Sequence, residues 1–380
     1  MGNLLICAPN FIEDTVDVAT LGGGNWENSY PVSNLGAEFF VDNTISIDAT
    51  TTSTKWEVDF GYNRDLKFIG IPDSNVSQNA TIRVEGSATS AWEGLLINGV
   101  NSIGVTTLNI KAGATAVTIA AGQIFTIAGD TEVYQVVTGT SLSATVTGSI
   151  VIKRDTNGTP TGLVVATVGN EVVTCHSGDY TTPVFDTTAE DYFQATIPVG
   201  TATWGSSGVW DGKPGDGFYT RMNFPRQYVK ILASVYLIQY VRLSIVDTGN
   251  AAGYITLDAL YLTSVYQPFY NMRYGVTFSS RSNTSQESSA GGATAFNTER
   301  QTRAISLELG DIPVEEAFSS IFDITRQLDI SGNLFIIYDD EDTFLLTRRS
   351  FAARFENSPV LTTTFFDGVD VPINIIERLA

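Results

Sequence analysis

The sequence predicts a mainly β protein: a jelly-roll β-sandwich, a small all-β module inserted into it, and a C-terminal α+β unit of strand–helix–strand order. Three observations carry that expectation. The composition is rich in Thr and Gly and poor in Lys, which favours strands and turns over helices. Short alternating or apolar segments, bounded by turn residues, recur along most of the chain. One segment alone, close to the C-terminus, has persuasive helical periodicity. Hydrophobic residues make up 43% of the 380, enough to fill real cores, and the length suits about two or three domains.

Taken in order, residues 56–60 (WEVDF), 67–71 (KFIGI) and 80–85 (ATIRVE) read as strands. From 97 to 178 the chain becomes rich in Thr, Val, Ile, Ala and Gly. There TTLNIKAG, AVTIAAG, QIFTIAG, EVYQVV and SIVIKR are strands spaced by Gly-containing turns, the pattern of a compact all-β module. Strands return at 228–232, 240–246 and 254–262, the last placing Ile255, Leu257, Ala259 and Tyr261 on one face. Residues 279–298, mostly Ser, Thr, Asn and Gly, read as a loop or linker. ISLEL (305–309) is a strand. Pro313 opens a helix over VEEAFSSIFDITRQL, with Glu315 and Glu316 complementing its dipole and Ala317, Ile321, Ile324 and Leu328 at helical spacing. Residues 333–340, 351–358 and 371–379 read as strands. The expected organisation is a discontinuous sandwich over 1–96 and 179–270, an insert over 97–178, and an assembly unit over 271–380.

Charge removes several function classes. Asp plus Glu total 41 against 21 Lys plus Arg, a net charge of −20. Such a chain repels phosphate backbones and anionic membrane surfaces, so neither nucleic acid nor a membrane is an expected partner. No apolar run approaches the ~18 residues of a membrane span. The first residues lack the basic and apolar regions of a signal peptide, and Ile6 stands where N-myristoylation needs a hydroxyl residue. Two cysteines, Cys7 and Cys175, and one histidine, His176, build neither a disulfide framework nor a zinc site. Cys175 and His176 are neighbours, so on a strand they face opposite ways and form no nucleophile–base pair.

Two segment groups resemble known architectures. Lys55–Gly61, Ile69–Ile71 and Thr81–Glu85, with Tyr240–Leu243 and Ile255–Leu262, resemble the opening and closing strands of a discoidin-like (galactose-binding-like) jelly roll. Asn3–Ile6, Pro9–Phe11, Leu21–Trp26 and Pro31–Leu35, with Ala252–Ile255, Gln267–Phe269 and Asn271–Gly275, are similar to a family of tailed-bacteriophage virion proteins. Ala121–Gly129 resembles β-modules grafted onto phage capsid and tail proteins, and the C-terminal unit is similar to ring-forming domains of tail-tube and distal-tail proteins. The resemblance implies a non-enzymatic structural subunit of the tail tip or baseplate. It would be assembled in the host cytoplasm as a homo-oligomeric ring with other tail proteins, and would need no cofactor and no metal.

The remaining motifs divide between chemistry and plain structure. Val246-Asp247-Thr248-Gly249 has the local form of an aspartic protease, yet lies where the jelly roll needs a turn, and its residues are ordinary turn residues. Glycosidase chemistry needs two facing carboxylates, and the acidic residues are too many to nominate a pair. Asp339-Asp340-Glu341-Asp342 could gather oxygen ligands, but lacks EF-hand spacing and reads as a solvated turn. Asp59 and Arg83 read as strand-face residues. Trp204, Trp210 and Tyr219, in a Gly- and Ser-rich region, are the candidate contact residues. Their rings suit a partner protein, a cell-surface glycan in an attachment module, or the sandwich rim.

Overall fold

The computed structural model describes residues 2–14, 16–36, 43–154, 162–193, 226–288, 294–342, 345–365 and 367–378. They are mainly β, arranged as two seven-stranded antiparallel sheets, a closed six-stranded barrel and three two-stranded ribbons. No helix among them is long and apolar enough to cross a membrane.

The first sheet is organised by two long strands, Lys55–Ile71 and Tyr228–Val246, paired antiparallel from Ser244 opposite Lys55 to Tyr228 opposite Ile71. Each is one strand where the sequence predicts two. Their middles, Gly61 to Asn63 and Ala233 to Val235, are exposed and carry no apolar alternation, so they look like turns in isolation. The ladder lapses at these middles and resumes on either side of them, with register shifts between Ile231 and Tyr236 and between Ile238 and Tyr240 absorbing the mismatch. Thr81–Ser87 lies on the far side of Tyr228–Val246, while Tyr261–Thr263 and Thr20–Gly22 pair along Lys55–Ile71.

One face of this sheet is apolar. Trp56, Val58 and Phe60 alternate inward and join Ile82, Val84, Val241, Leu243 and Ile245 in the largest core. Trp26 packs on Trp56 with ring centroids 4.9 Å apart. Its approach is set by two glycines with positive φ, Gly23 (88°) and Gly24 (65°). A Cβ on Gly24 would stand 2.4 Å from the Ser53 carbonyl oxygen and 2.6 Å from that of Lys55. The expected strand at 254–262 is two short ones, Thr256–Leu257 and Tyr261–Thr263. Ile255 and Leu257 enter the sandwich core, whereas Ala259 and Tyr261 enter a different one.

The barrel runs from Leu95–Ile97 to Val172–Cys175 and closes through Thr107–Ala112, Thr147–Arg154, Tyr134–Thr138 and Ile124–Ile127. Leu108, Ile110, Phe125, Ile127, Tyr134, Ile150 and Ile152 fill it.

The second sheet is ordered Leu5–Cys7, Leu334–Ile337, Ser350–Phe355, Gly368–Glu377, Thr302–Pro313, Thr277–Arg281, with Thr362–Phe365 beside Gly368–Glu377. The N-terminal strand, expected in the sandwich, therefore belongs here, with Leu5 opposite Ile337 and Cys7 opposite Phe335. Both its faces are covered: Leu4, Ile6 and Ala8 join the core under the helix, and Leu5 and Cys7 join Phe68, Val229 and Tyr261 of the first sheet. The expected helix spans Val314–Leu328 and buries Ala317, Ile321 and Leu328, but Ala317–Phe322 is a π-helical stretch. Residues 279–298 are not simply a loop. They contribute to strand Thr277–Arg281 and to a ribbon of Ser285–Ser288 with Thr294–Asn297.

Gly24→Ala is expected to lower the melting temperature by several degrees, a cost of about 2 kcal/mol or more, since both φ and space oppose a side chain there. Gly122→Ala (φ 90°), whose Cβ would meet nothing, should cost less; equal losses in thermal unfolding would refute the close-approach explanation.

Candidate functional site

Two regions combine chemistry or exposure with a defined geometry: the joint between barrel and sandwich, and the outer edge of the second sheet.

The joint begins from strand alternation. With Trp56, Val58 and Phe60 turned into the core, Glu57 and Asp59 face the other way. That face is buried too, because the outgoing barrel linker crosses it: Glu57, Asp59, Glu85, Ser87 and Ser177 are all nearly inaccessible. His176 sits in the middle. Its Nδ1 lies 2.7 Å from Asp59 Oδ2, and its Nε2 lies 3.0 Å from Thr126 Oγ1 on barrel strand Ile124–Ile127. Asp59 Oδ1 also accepts from the Gly61 amide (2.8 Å) and from Gln239 Nε2 (2.9 Å). The order hydroxyl, imidazole, carboxylate is that of a hydrolase relay. Here the three groups stand on a barrel strand, a linker and a sandwich strand, and the hydroxyl belongs to a β-branched residue within a strand. The arrangement joins three segments through one ring.

Beside it, the Tyr180 hydroxyl donates to Glu57 Oε2 (3.2 Å), and the Arg242 guanidinium lies 4.1 Å over the Tyr180 ring. Arg242 donates through Nε and Nη2 to Glu85 Oε2 at 2.8 and 2.6 Å, and Arg83 pairs with both Glu85 and Asp186. Burial pushes the Glu57 carboxyl up to about 8, against the opposing pull of Arg242, Tyr180, Lys55 and Ser177. Glu57 is thus mainly a neutral acid at pH 7. Lys153 of the barrel completes the joint by donating to the Gly24 carbonyl (3.0 Å) and to Asn25 Oδ1. Asp59 and His176 were legible only as a strand-face residue and an incidental imidazole; the cover that makes them a pair comes from a distant segment.

The other sequence candidates fall as follows. Trp204, Trp210 and Tyr219 lie outside the described residues. Asp247 is buried in a turn, where its carboxylate accepts from the Ser77 amide (2.6 Å), the Ser77 hydroxyl and Asn250 Nδ2 (3.2 Å). Asp339 and Asp340 accept from the amides of Gly2 (2.9 Å) and Asn3 (2.6 Å), fastening the N-terminal segment. Asp342 accepts from the Leu345 amide (2.8 Å) and pairs with Arg349. Cys175 faces the barrel interior, opposite to His176, and burial pushes its thiol up to about 12.

At the outer edge of the second sheet, Thr277–Arg281 pairs, among the described residues, with Thr302–Pro313 on one side only, and every residue of that strand is exposed. The chain continues into the Ser285–Ser288/Thr294–Asn297 ribbon, also wholly exposed. Phe296 on this ribbon is 63% exposed. The π stretch of the helix turns outward Phe318 (51% exposed) and Phe322 (43%), with ring centroids 5.8 Å apart. Phe269 and Tyr270 form another exposed pair. The ribbon was not singled out in the sequence, because its polar residues have no apolar alternation to detect.

No family model, no curated protein and no solved structure matches this chain.

Glu57 sets a pH test. Its folded value lies above its ordinary 4.5, so the folded state holds a proton that the unfolded chain releases as pH rises from about 4.5 to about 8. Its contribution to stability therefore falls across that window and is lowest above it. Glu57→Gln should match wild type near pH 4 and exceed it at pH 8.5 by an amount on the order of 5 kcal/mol at most. Denaturant titrations at several pH values read this difference, and a constant gap between the two proteins would refute it.

Proposed function

We propose that this chain is a structural subunit of a tailed-phage virion, placed at the tail tip or baseplate, that works by burying surface against copies of itself and other tail proteins. It turns over no substrate. The observation that carries the reading is the exposed edge of the second sheet. An all-exposed edge strand followed by an all-exposed ribbon offers unpaired backbone donors and acceptors, a liability for a solitary chain and a means of joining for an assembled one. Closed ring symmetry covers such edges on every copy at once.

Two further features support it. The segments that resemble phage virion proteins reach both sheets, Asn3–Ile6 entering the second-sheet strand Leu5–Cys7, Leu21–Trp26 forming the glycine turn under Trp26 and Asn271–Gly275 leading into the exposed edge strand. The barrel is fixed to the sandwich by buried polar contacts, so it projects at a set angle. The ionisable groups of the joint are occupied with one another.

Electron microscopy of virions carrying a labelled copy of the chain tests the proposal. A ring of label at the tail tip is the expected result. Label on the capsid would overturn the placement, and absence from particles would overturn the function.

A further inference from the structure

We propose that Lys153 and Asn25 join in an isopeptide bond, formed within the chain by their own side chains, that fixes the barrel covalently to the sandwich.

The two groups come from different units and meet at the joint. Lys153 stands on barrel strand Thr147–Arg154, opposite Gln135, and is buried, an uncommon state for a lysine. Its Nζ reaches beyond the barrel and donates to the Gly24 carbonyl (3.0 Å) and to Asn25 Oδ1, so amine and carboxamide are in direct contact. Asn25 is presented by the turn at Gly23 and Gly24, whose positive φ values leave it no other side chain to compete with at that point. It is then held from behind. Its amide donates to the Ser53 carbonyl (3.1 Å), its carbonyl accepts from the Ile47 amide (3.1 Å), and its Nδ2 donates to Ser53 Oγ (3.0 Å). The last bond orients the carboxamide, with oxygen toward the amine and nitrogen toward a hydroxyl. Trp26, Ser53 and Thr54 beside it are inaccessible to water, the nucleophile that would compete for the same carbon.

The reaction balances without any other reagent. The Nζ lone pair adds to Asn25 Cγ, Oδ1 takes up the displaced electron pair, and the pair returns as the Cγ–Nδ2 bond breaks. One C–N bond forms and one is lost. Lys153 enters as an ammonium and the amide nitrogen departs as ammonium, the two protons shed by Nζ being the two that Nδ2 takes up. Ser53 Oγ touches the departing nitrogen and serves as the acid that hands it a proton. Proximity supplies the drive, since both groups are fixed before they react. The product ties residue 25 to residue 153 and restricts the unfolded chain as a long-loop disulfide would, in a protein whose two cysteines are buried and free. The bond is made once, turns over no substrate, and stands independently of the assembly reading.

Mass spectrometry of the purified, denatured chain tests the proposal. The wild type should be lighter than its sequence by one ammonia, and tryptic digestion should release a branched peptide joining the segment that carries Asn25 to the segment that carries Lys153. Lys153→Arg keeps the charge and a donor but cannot form the bond, and should have its full sequence mass while remaining folded by circular dichroism. Asn25→Asp should give the same branched peptide with loss of water in place of ammonia. Ser53→Ala should leave a larger share of chains at full mass; complete cross-linking in that variant would remove Ser53 from the reaction. A folded wild-type chain at full mass with no branched peptide would overturn the bond, and so would an ammonia loss confined to a linear peptide.

Discussion

The ladder between Lys55–Ile71 and Tyr228–Val246 is the constraint on which the rest depends. It is formed by strands far apart in the chain, and everything between them must be accommodated without disturbing their register. One face supplies the tryptophan-lined core. The opposite face, at Glu57 and Asp59, supplies the platform on which the barrel is fixed. The far end, through Phe68 and Val229, supplies the apolar contact with the second sheet. A one-residue slip would turn all three functions over at once, since each depends on which way alternate side chains point.

The joint illustrates how polar groups can specify an arrangement that apolar packing would leave loose. Buried carboxyls and guanidinium groups cost free energy to desolvate and recover it only in a narrow set of geometries. A barrel rotated on its linkers would leave Asp59 without His176, Glu57 without Tyr180, and Lys153 without Gly24 and Asn25. Apolar surfaces tolerate sliding; these pairs do not. The neutral state of Glu57 removes one charge from a crowded site where Arg242 is already engaged by Glu85.

How much of this was legible in the sequence varies with the physics of each part. Barrel strands such as TTLNIKAG and SIVIKR carry their inward residues at alternate positions, and the signal survives because one face is always interior. The helix was legible from Ala317, Ile321 and Leu328, though its π stretch left no local mark. The long strands looked broken at Gly61 and Ala233 because the ladder does lapse there, and each strand is held as one by the paired stretches on either side. The Ser285–Ser288/Thr294–Asn297 ribbon was read as a loop or linker since Ser, Thr and Asn on both faces give no period. The joint was illegible for another reason: burial of Glu57 and Asp59 is imposed by residues 176–180, and no single strand records what will cover it.

The position of Leu5–Cys7 beside Leu334–Ile337 has a consequence for biosynthesis. Leu5–Cys7 waits for the much later strand Leu334–Ile337 before this ladder can form. The barrel, whose strands are close in sequence, can close while the remainder is still being translated. The same late segment then fastens the chain ahead of Leu5, through the amides of Gly2 and Asn3 against Asp339 and Asp340. A nascent chain interrupted before Leu334 therefore leaves Leu5–Cys7 without its strand partner.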